Sequence, residues 1–93
     1  MTYEELIASA PEVLVEFYAS WCPHCQRMMQ SVEDVKKKTA GKVKVEQFEI
    51  DEYSELSDSQ GVETIPTFIL YKSGKEVWRQ SGEMPEEELL SHL

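Results

Sequence analysis

The sequence predicts an α/β fold, a four-stranded mixed sheet flanked by helices on both faces. Three observations predict it. Val13-Leu14-Val15-Glu16-Phe17-Tyr18 is a nearly unbroken β-prone run, the pattern of a central strand covered on both sides. Cys25, Met28, Met29, Val32 and Val35 then recur at three- and four-residue steps, one apolar helix face, before a second strand at residues 43–50 (VKVEQFEI). Further on, Thr67-Phe68-Ile69-Leu70-Tyr71-Lys72 runs into Ser73-Gly74, a two-residue hairpin turn.

Taken in order, Thr2 with Glu5 three residues on has the spacing of a capping box, opening a short helix that ends near Ala10-Pro11. The strand at 13–18 comes next. The second helix starts at Pro23, runs to about Thr39 and stops at Gly41. A strand, helix and strand in this order imply parallel strands with a right-handed crossover. A short helical segment over Tyr53–Gln60 ends at Gly61, and a loop through Ile65-Pro66 leads into the strand at 67–72. Lys75–Gln80 returns antiparallel as a charged edge strand. Pro85 suits a first helical position, and Glu86, Glu87 and Glu88 suit the positive end of a helix dipole, so they read as a solvated first turn rather than a metal site.

The chain of 93 residues is expected to form one domain, residues 1–93, burying roughly 60–65% of its extended surface. Such a core needs no covalent staple, and a bridge closing a segment as short as Cys22–Cys25 removes little entropy from the unfolded chain. The net charge of -9, from 18 acidic against 9 basic residues, repels nucleic acid and anionic membranes, so neither is an expected partner. No apolar run has the length of a membrane-spanning helix, and the opening MTYEELIASAPE is acidic where a signal peptide is basic and apolar. The expected location is the cytoplasm, or the periplasm or exterior if a leader has been removed.

Both cysteines lie in Ala19-Ser20-Trp21-Cys22-Pro23-His24-Cys25. Cysteine reacts as the thiolate, and with a helix starting at Pro23 the Cys22 sulfur sits where unpaired N–H groups and the helix dipole favour an anion. Cys25 follows by about one turn, within reach of a disulfide to Cys22. Cys22 would attack a substrate and Cys25 resolve the mixed disulfide, while His24 can supply a donor or positive charge to the thiolate. Zinc is disfavoured. Cys22, His24 and Cys25 have no second Cys/His cluster to complete a site, and His92 reads as a surface residue near a helix C-terminus.

The run VEFYASWCPHC resembles the strand and active-site turn of the thioredoxin family, with Trp21 directly before the first cysteine. Ile65-Pro66-Thr67 resembles its cis-proline loop, and Gly74 and Gly82 fall at its hairpin and substrate-loop glycines; the likeness runs from Val13 to Leu93. The resemblance implies a thioredoxin-like fold and a thiol-disulfide oxidoreductase. Cys22 is its nucleophile, Cys25 its resolving cysteine, and Pro66 a cis-proline that docks an extended substrate. Trp21, Thr64, Ile65 and Gly82 then wall a shallow groove. Glu16 matches the family's buried aspartate, with a raised pKa and the role of accepting the Cys25 proton, and Gln47 replaces the lysine that partners that aspartate. No cofactor is implied beyond the Cys22–Cys25 disulfide itself. Expected partners are cysteine-containing protein substrates and a thioredoxin-reductase-like or glutathione electron donor, and the expected state is a monomer.

Departures from the family pattern are informative. Pro23-His24 is the dipeptide of DsbA-type oxidants, where thioredoxins have Gly-Pro, and it favours the reduced form. Gln30 stands where a kink-forming proline is usual. The chain opens at the family's first helix, without its first strand, so the strand at 43–50, with Lys44 and Glu46, becomes a sheet edge open to pairing. The leading reading is a protein-disulfide reductase. The alternatives are a DsbA- or isomerase-like enzyme for exported proteins and, against the intact cysteines and carboxyl, a non-catalytic binding module. Met28 and Met29 read as core, Trp78 as packed on the sheet, and Lys36-Lys37-Lys38 as a solvated face at a helix C-terminus. Met84 either widens the groove or covers the last helix, and Glu83 biases the groove toward neutral or basic segments.

Overall fold

Local chemistry accounts for most of the elements in the computed structural model, which describes residues 1–93. Helix α1 (Tyr3–Ile7) opens with a complete capping box: Thr2 Oγ1 accepts from Glu5 N at 3.1 Å and Glu5 Oε1 from Thr2 N at 2.9 Å. It ends at Ile7, earlier than the sequence predicts, where Ser9 closes the last turn by donating to Leu6 O from both its backbone N at 3.1 Å and its Oγ at 2.5 Å. Thr2→Ala removes this cap and is expected to cost about 1 kcal/mol, lowering the Tm by about 4–8 °C in thermal unfolding. An unchanged Tm would contradict that assignment.

Strand β1 (Glu12–Tyr18) is central in the sheet order β2-β1-β3-β4, parallel to β2 (Lys44–Glu49) and antiparallel to β3 (Thr67–Lys72). Strand β4 (Lys75–Ser81) returns from β3 through Ser73 and Gly74, whose φ values of 52° and 78° suit a two-residue hairpin turn. A side chain at position 74 would also meet Ala8 Cβ at 3.3 Å. The β3–β4 register shifts between Leu70/Trp78 and Tyr71/Glu76, and the extra residue, Val77, is left exposed. Strand β2 is an edge.

Alternation along β1 divides the core. Val13, Val15 and Phe17 join Ile69 and Tyr71 on one face, covered by Tyr3 and Ile7 of α1 and by Leu56 of α3 (Ser54–Ser59). Leu14 joins Phe68 and Leu70 on the other, under Met28, Val32 and Val35 of α2 (Pro23–Lys38) and Leu89 of α4 (Glu86–Ser91). Each fully buried side chain of this size contributes roughly 1.5–3 kcal/mol. Glu16 falls on the α2 face by the same alternation and is only 2% exposed.

Several expectations need correction. Met29 is 59% exposed, not core, because the stripe through Cys25, Met28, Val32 and Val35 leaves it on the flank of α2. Pro85 is the N-cap of α4 rather than its first helical residue, with ψ 152°, and its carbonyl accepts from Leu89 N at 3.2 Å. Met84 is buried in the α2–α4 core. His92 is not a bare surface residue: its ring stacks on Trp78 with centroids 4.0 Å apart. No helix is long and apolar enough to cross a membrane.

Candidate active site

Cys22 is the N-cap of α2 and Pro23 its first residue, so the turn that leaves β1 delivers the sulfur to the positive end of a four-turn helix. Both cysteines are free thiols, Cys22 5% and Cys25 2% exposed. They pack with Ala19 against Tyr18, Ile50 and Ile65. The Cys22 thiol is held below its ordinary pKa, first by the backbone amide of Cys25, then by the Cys25 thiol, the amide of His24 and the charge of Arg27, against the opposing effect of desolvation. Cys25 is pushed up to about 12, mainly by burial, with the neighbouring Cys22 and Glu16 adding to it.

Glu16 lies beneath this pair. Burial raises its carboxyl to about 7, opposed by Gln47, whose Nε2 donates to Glu16 Oε1 at 2.9 Å, and by the charge of Lys36. Gln47 reaches it because Glu16 and Gln47 are paired residues of the parallel strands β1 and β2. A cavity of about 140 Å³, lined by Glu16, Tyr18, Cys25, Met29, Glu33 and Gln47, gives the carboxyl and Cys25 a common space. Exposed Met29, misassigned to the core by periodicity, is one of its walls.

Around the cysteines three loops meet. The Ile65–Pro66 peptide bond is cis, and Pro66 O accepts from Gly82 N at 2.8 Å, tying the β4–α4 loop to the segment before β3. Gly82 has φ 100°, a left-handed conformation that favours glycine. Trp21 is 61% exposed, its Nε1 donating to Asp51 Oδ2 at 2.8 Å. Trp21 and Ile65 share a hollow of about 330 Å³ with Ile50, Val62, Asp51 and Glu63. Thr64 is exposed and does not line that hollow; its carbonyl accepts from Thr67 Oγ1 at 2.5 Å.

His24 departs from expectation. Its imidazole faces Glu83, with Nδ1 2.5 Å from Oε1, and it is the backbone amide of His24 that acts on Cys22. Glu83 also accepts from Arg27, Nε at 3.0 Å to each oxygen and Nη2 at 2.5 Å to Oε1. Arg27, then His24, hold the Glu83 carboxyl at about 2. The acidic bias expected of Glu83 is therefore neutralised within the protein. Sequence reasoning missed Arg27 and Asp51. Arg27 was within reach, three residues after His24 on one helix face, whereas nothing local marks Asp51. No group of three or more His, Cys, Asp or Glu side chains is placed to hold a metal ion.

A helix N-terminal cysteine pair beside a cis-proline, on this sheet order, can be compared with known proteins. The thioredoxin family model matches residues 1–93. The chain belongs to the thioredoxin family. It is 35% identical over 91 residues to the thioredoxin of Alicyclobacillus acidocaldarius subsp. acidocaldarius, covering 98% of this chain and 87% of that one. It is 32% identical over 93 residues to the chloroplastic thioredoxin Y of Oryza sativa subsp. japonica, covering 99% of this chain and 55% of that one. The chain thus spans about half the length of that plant relative. The X-ray structure of Fasciola hepatica thioredoxin superposes with a TM-score of 0.87 at 32% identity, covering 96% of this chain and 86% of the other. As a thioredoxin-family fold, the chain carries its reactive group as its own cysteines and needs no separate cofactor.

Proposed function

We propose that the chain reduces disulfides in protein substrates by thiol–disulfide exchange, with Cys22 as nucleophile and Cys25 as resolving thiol. The observation that carries this reading is the opposite displacement of two thiols one helical turn apart, Cys22 lowered and Cys25 raised to about 12. The Cys22 thiolate attacks one substrate sulfur, forming a mixed disulfide and releasing the other sulfur as thiolate. Cys25 gives its proton to Glu16 and attacks the Cys22 sulfur. The Cys22–Cys25 disulfide forms, the second substrate thiolate leaves, and two electrons have passed to the substrate. Pro23 sets the start of the helix that holds Cys22.

Trp21, Ile65, cis-Pro66 and Gly82 supply a groove for an extended substrate segment, supported by the hollow beside Trp21 and Ile65 and by the Gly82–Pro66 bond, with Thr64 at its exposed margin outside the hollow. A thioredoxin-reductase-like flavoenzyme or glutathione returns the disulfide to the dithiol, and a reducing compartment such as the cytoplasm suits this direction. Insulin reduction driven by dithiothreitol tests the reading: turnover well above background is expected, and a background rate would leave only a binding module. A second reading, an oxidant or isomerase for exported proteins, rests on Pro23-His24. Equilibration with glutathione buffers separates the two. A potential near about -270 mV supports the reductase, and one nearer about -120 to -180 mV the oxidant.

A further inference from the structure

We propose that Glu83 is a positioning residue: it holds the charge of Arg27 on itself and so limits how strongly that charge stabilises the Cys22 thiolate. The inference deepens the oxidoreductase reading and rests on it. Arg27 lies five residues after Cys22 on α2, and side chains on a helix lean toward its N-terminus. Its Nη2 accordingly lies 2.8 Å from His24 Nδ1, beside the reactive turn. There the Glu83 carboxylate meets it with both oxygens, in the forked geometry that fixes guanidinium and carboxylate together.

Glu83 also fixes His24. Its Oε1 lies 2.5 Å from the His24 Nδ1 and draws the ring toward the same carboxylate. Seen from Cys22, Arg27 and Glu83 form a close pair whose fields largely cancel, whereas Arg27 alone would present a full positive charge. Gly82 N bonds Pro66 O at 2.8 Å, so the loop carrying Glu83 is anchored and the pair is held in place.

The other charged or titratable groups around Cys22 come from every neighbouring element. Cys25 is on α2 itself and Glu16 on β1. Glu49 accepts from Ser20 N at 3.3 Å and Asp51 from the Trp21 indole. Glu63 lines the hollow with Ile65. Against these, Arg27 supplies the cationic side chain, and it is turned to Glu83, as is the His24 ring.

The test is the titration of Cys22 in the reduced protein, followed by ultraviolet thiolate absorbance. E83Q is expected to lower the Cys22 pKa by about 0.5 unit or more. The glutathione equilibrium, in which the protein disulfide and two glutathione thiols give the dithiol and glutathione disulfide, is expected to move toward the dithiol by about threefold or more. R27Q is expected to raise the Cys22 pKa. In the R27Q background the E83Q effect is expected to shrink to less than half, as it must if Glu83 acts through Arg27. An unchanged or raised pKa in E83Q overturns the proposal, as does an effect that persists at more than half its size without Arg27. Neither readout requires turnover. A wild-type protein inactive on insulin defeats the proposed function, whereas an active one whose titration ignores Glu83 defeats this inference alone.

Discussion

Cys25→Ser will leave Cys22 covalently joined to its substrate. The first attack needs only the Cys22 sulfur, whose thiolate is favoured by the start of α2 and by the amides of Cys25 and His24. The second attack needs a sulfur one turn along, 2% exposed and facing inward over Glu16, which no solvent thiol replaces efficiently. With serine at 25 the mixed disulfide accumulates, visible as a band that shifts on non-reducing electrophoresis and disappears with dithiothreitol. Multiple turnover is expected to fall to background. Cys22→Ser should abolish both the band and the turnover. A Cys25→Ser protein that turns over substrate at a sizeable fraction of the wild-type rate would mean that Cys25 is not the resolving thiol.

Glu16→Gln is expected to stabilise the protein at alkaline pH while slowing that second step. Folded, Glu16 keeps its proton to about pH 7; unfolded, it loses it near its ordinary 4.5. Between these values the folded state binds more protons, so stability falls as pH rises from about 4.5 to about 7, and the full cost is present above 7. At one pKa unit per 1.36 kcal/mol that cost is about 3 kcal/mol. A glutamine is never ionised and can still accept from Gln47, so E16Q is expected to gain up to about 3 kcal/mol at pH 8 in urea unfolding and almost nothing at pH 4. Resolution should move the opposite way. In the wild type its rate rises through about pH 7 as Glu16 becomes able to take the Cys25 proton, whereas in E16Q it is expected to be about 10–100-fold slower at pH 8. Equal stability of the two proteins at pH 8 would mean that the carboxyl reaches solvent, and equal resolution rates would remove Glu16 from the proton transfer.

These expectations differ in how far they could be read from the chain. The capping box, the run VLVEFY, the helix from Pro23 and the Ser73-Gly74 turn are encoded within a few residues of one another, and each has its counterpart in α1, β1, α2 and the β3–β4 hairpin. Glu16 was legible by another route, as the one charge in the run VLVEFY and through its match to the family's buried aspartate, and alternation along β1 is what turns it to the α2 face. Met29 was misread because a three- and four-residue stripe is wide enough to include a flanking position, and only the packed neighbours decide which side of its edge is wet. Met84 was undecided because it lies in a loop with no period at all; its burial follows from where α4 settles against α2.

What the sequence by itself determined is the set of elements, their order, and a thiol pair at a helix start, because secondary-structure periodicity and capping are local rules; the carboxyl beneath that pair was implied by the family resemblance. What only the tertiary structure decided is which side chains answer that thiol pair: Glu83 for Arg27, Asp51 for Trp21, and the His24 imidazole turned to Glu83 while its backbone amide serves Cys22. The reason is physical. Glu83 and Arg27 are 56 residues apart, Trp21 and Asp51 are 30 apart, and both pairs form where loops converge at one end of the sheet. Long polar side chains there choose among partners by the distances that the packed sheet and helices impose, which no spacing within the chain records.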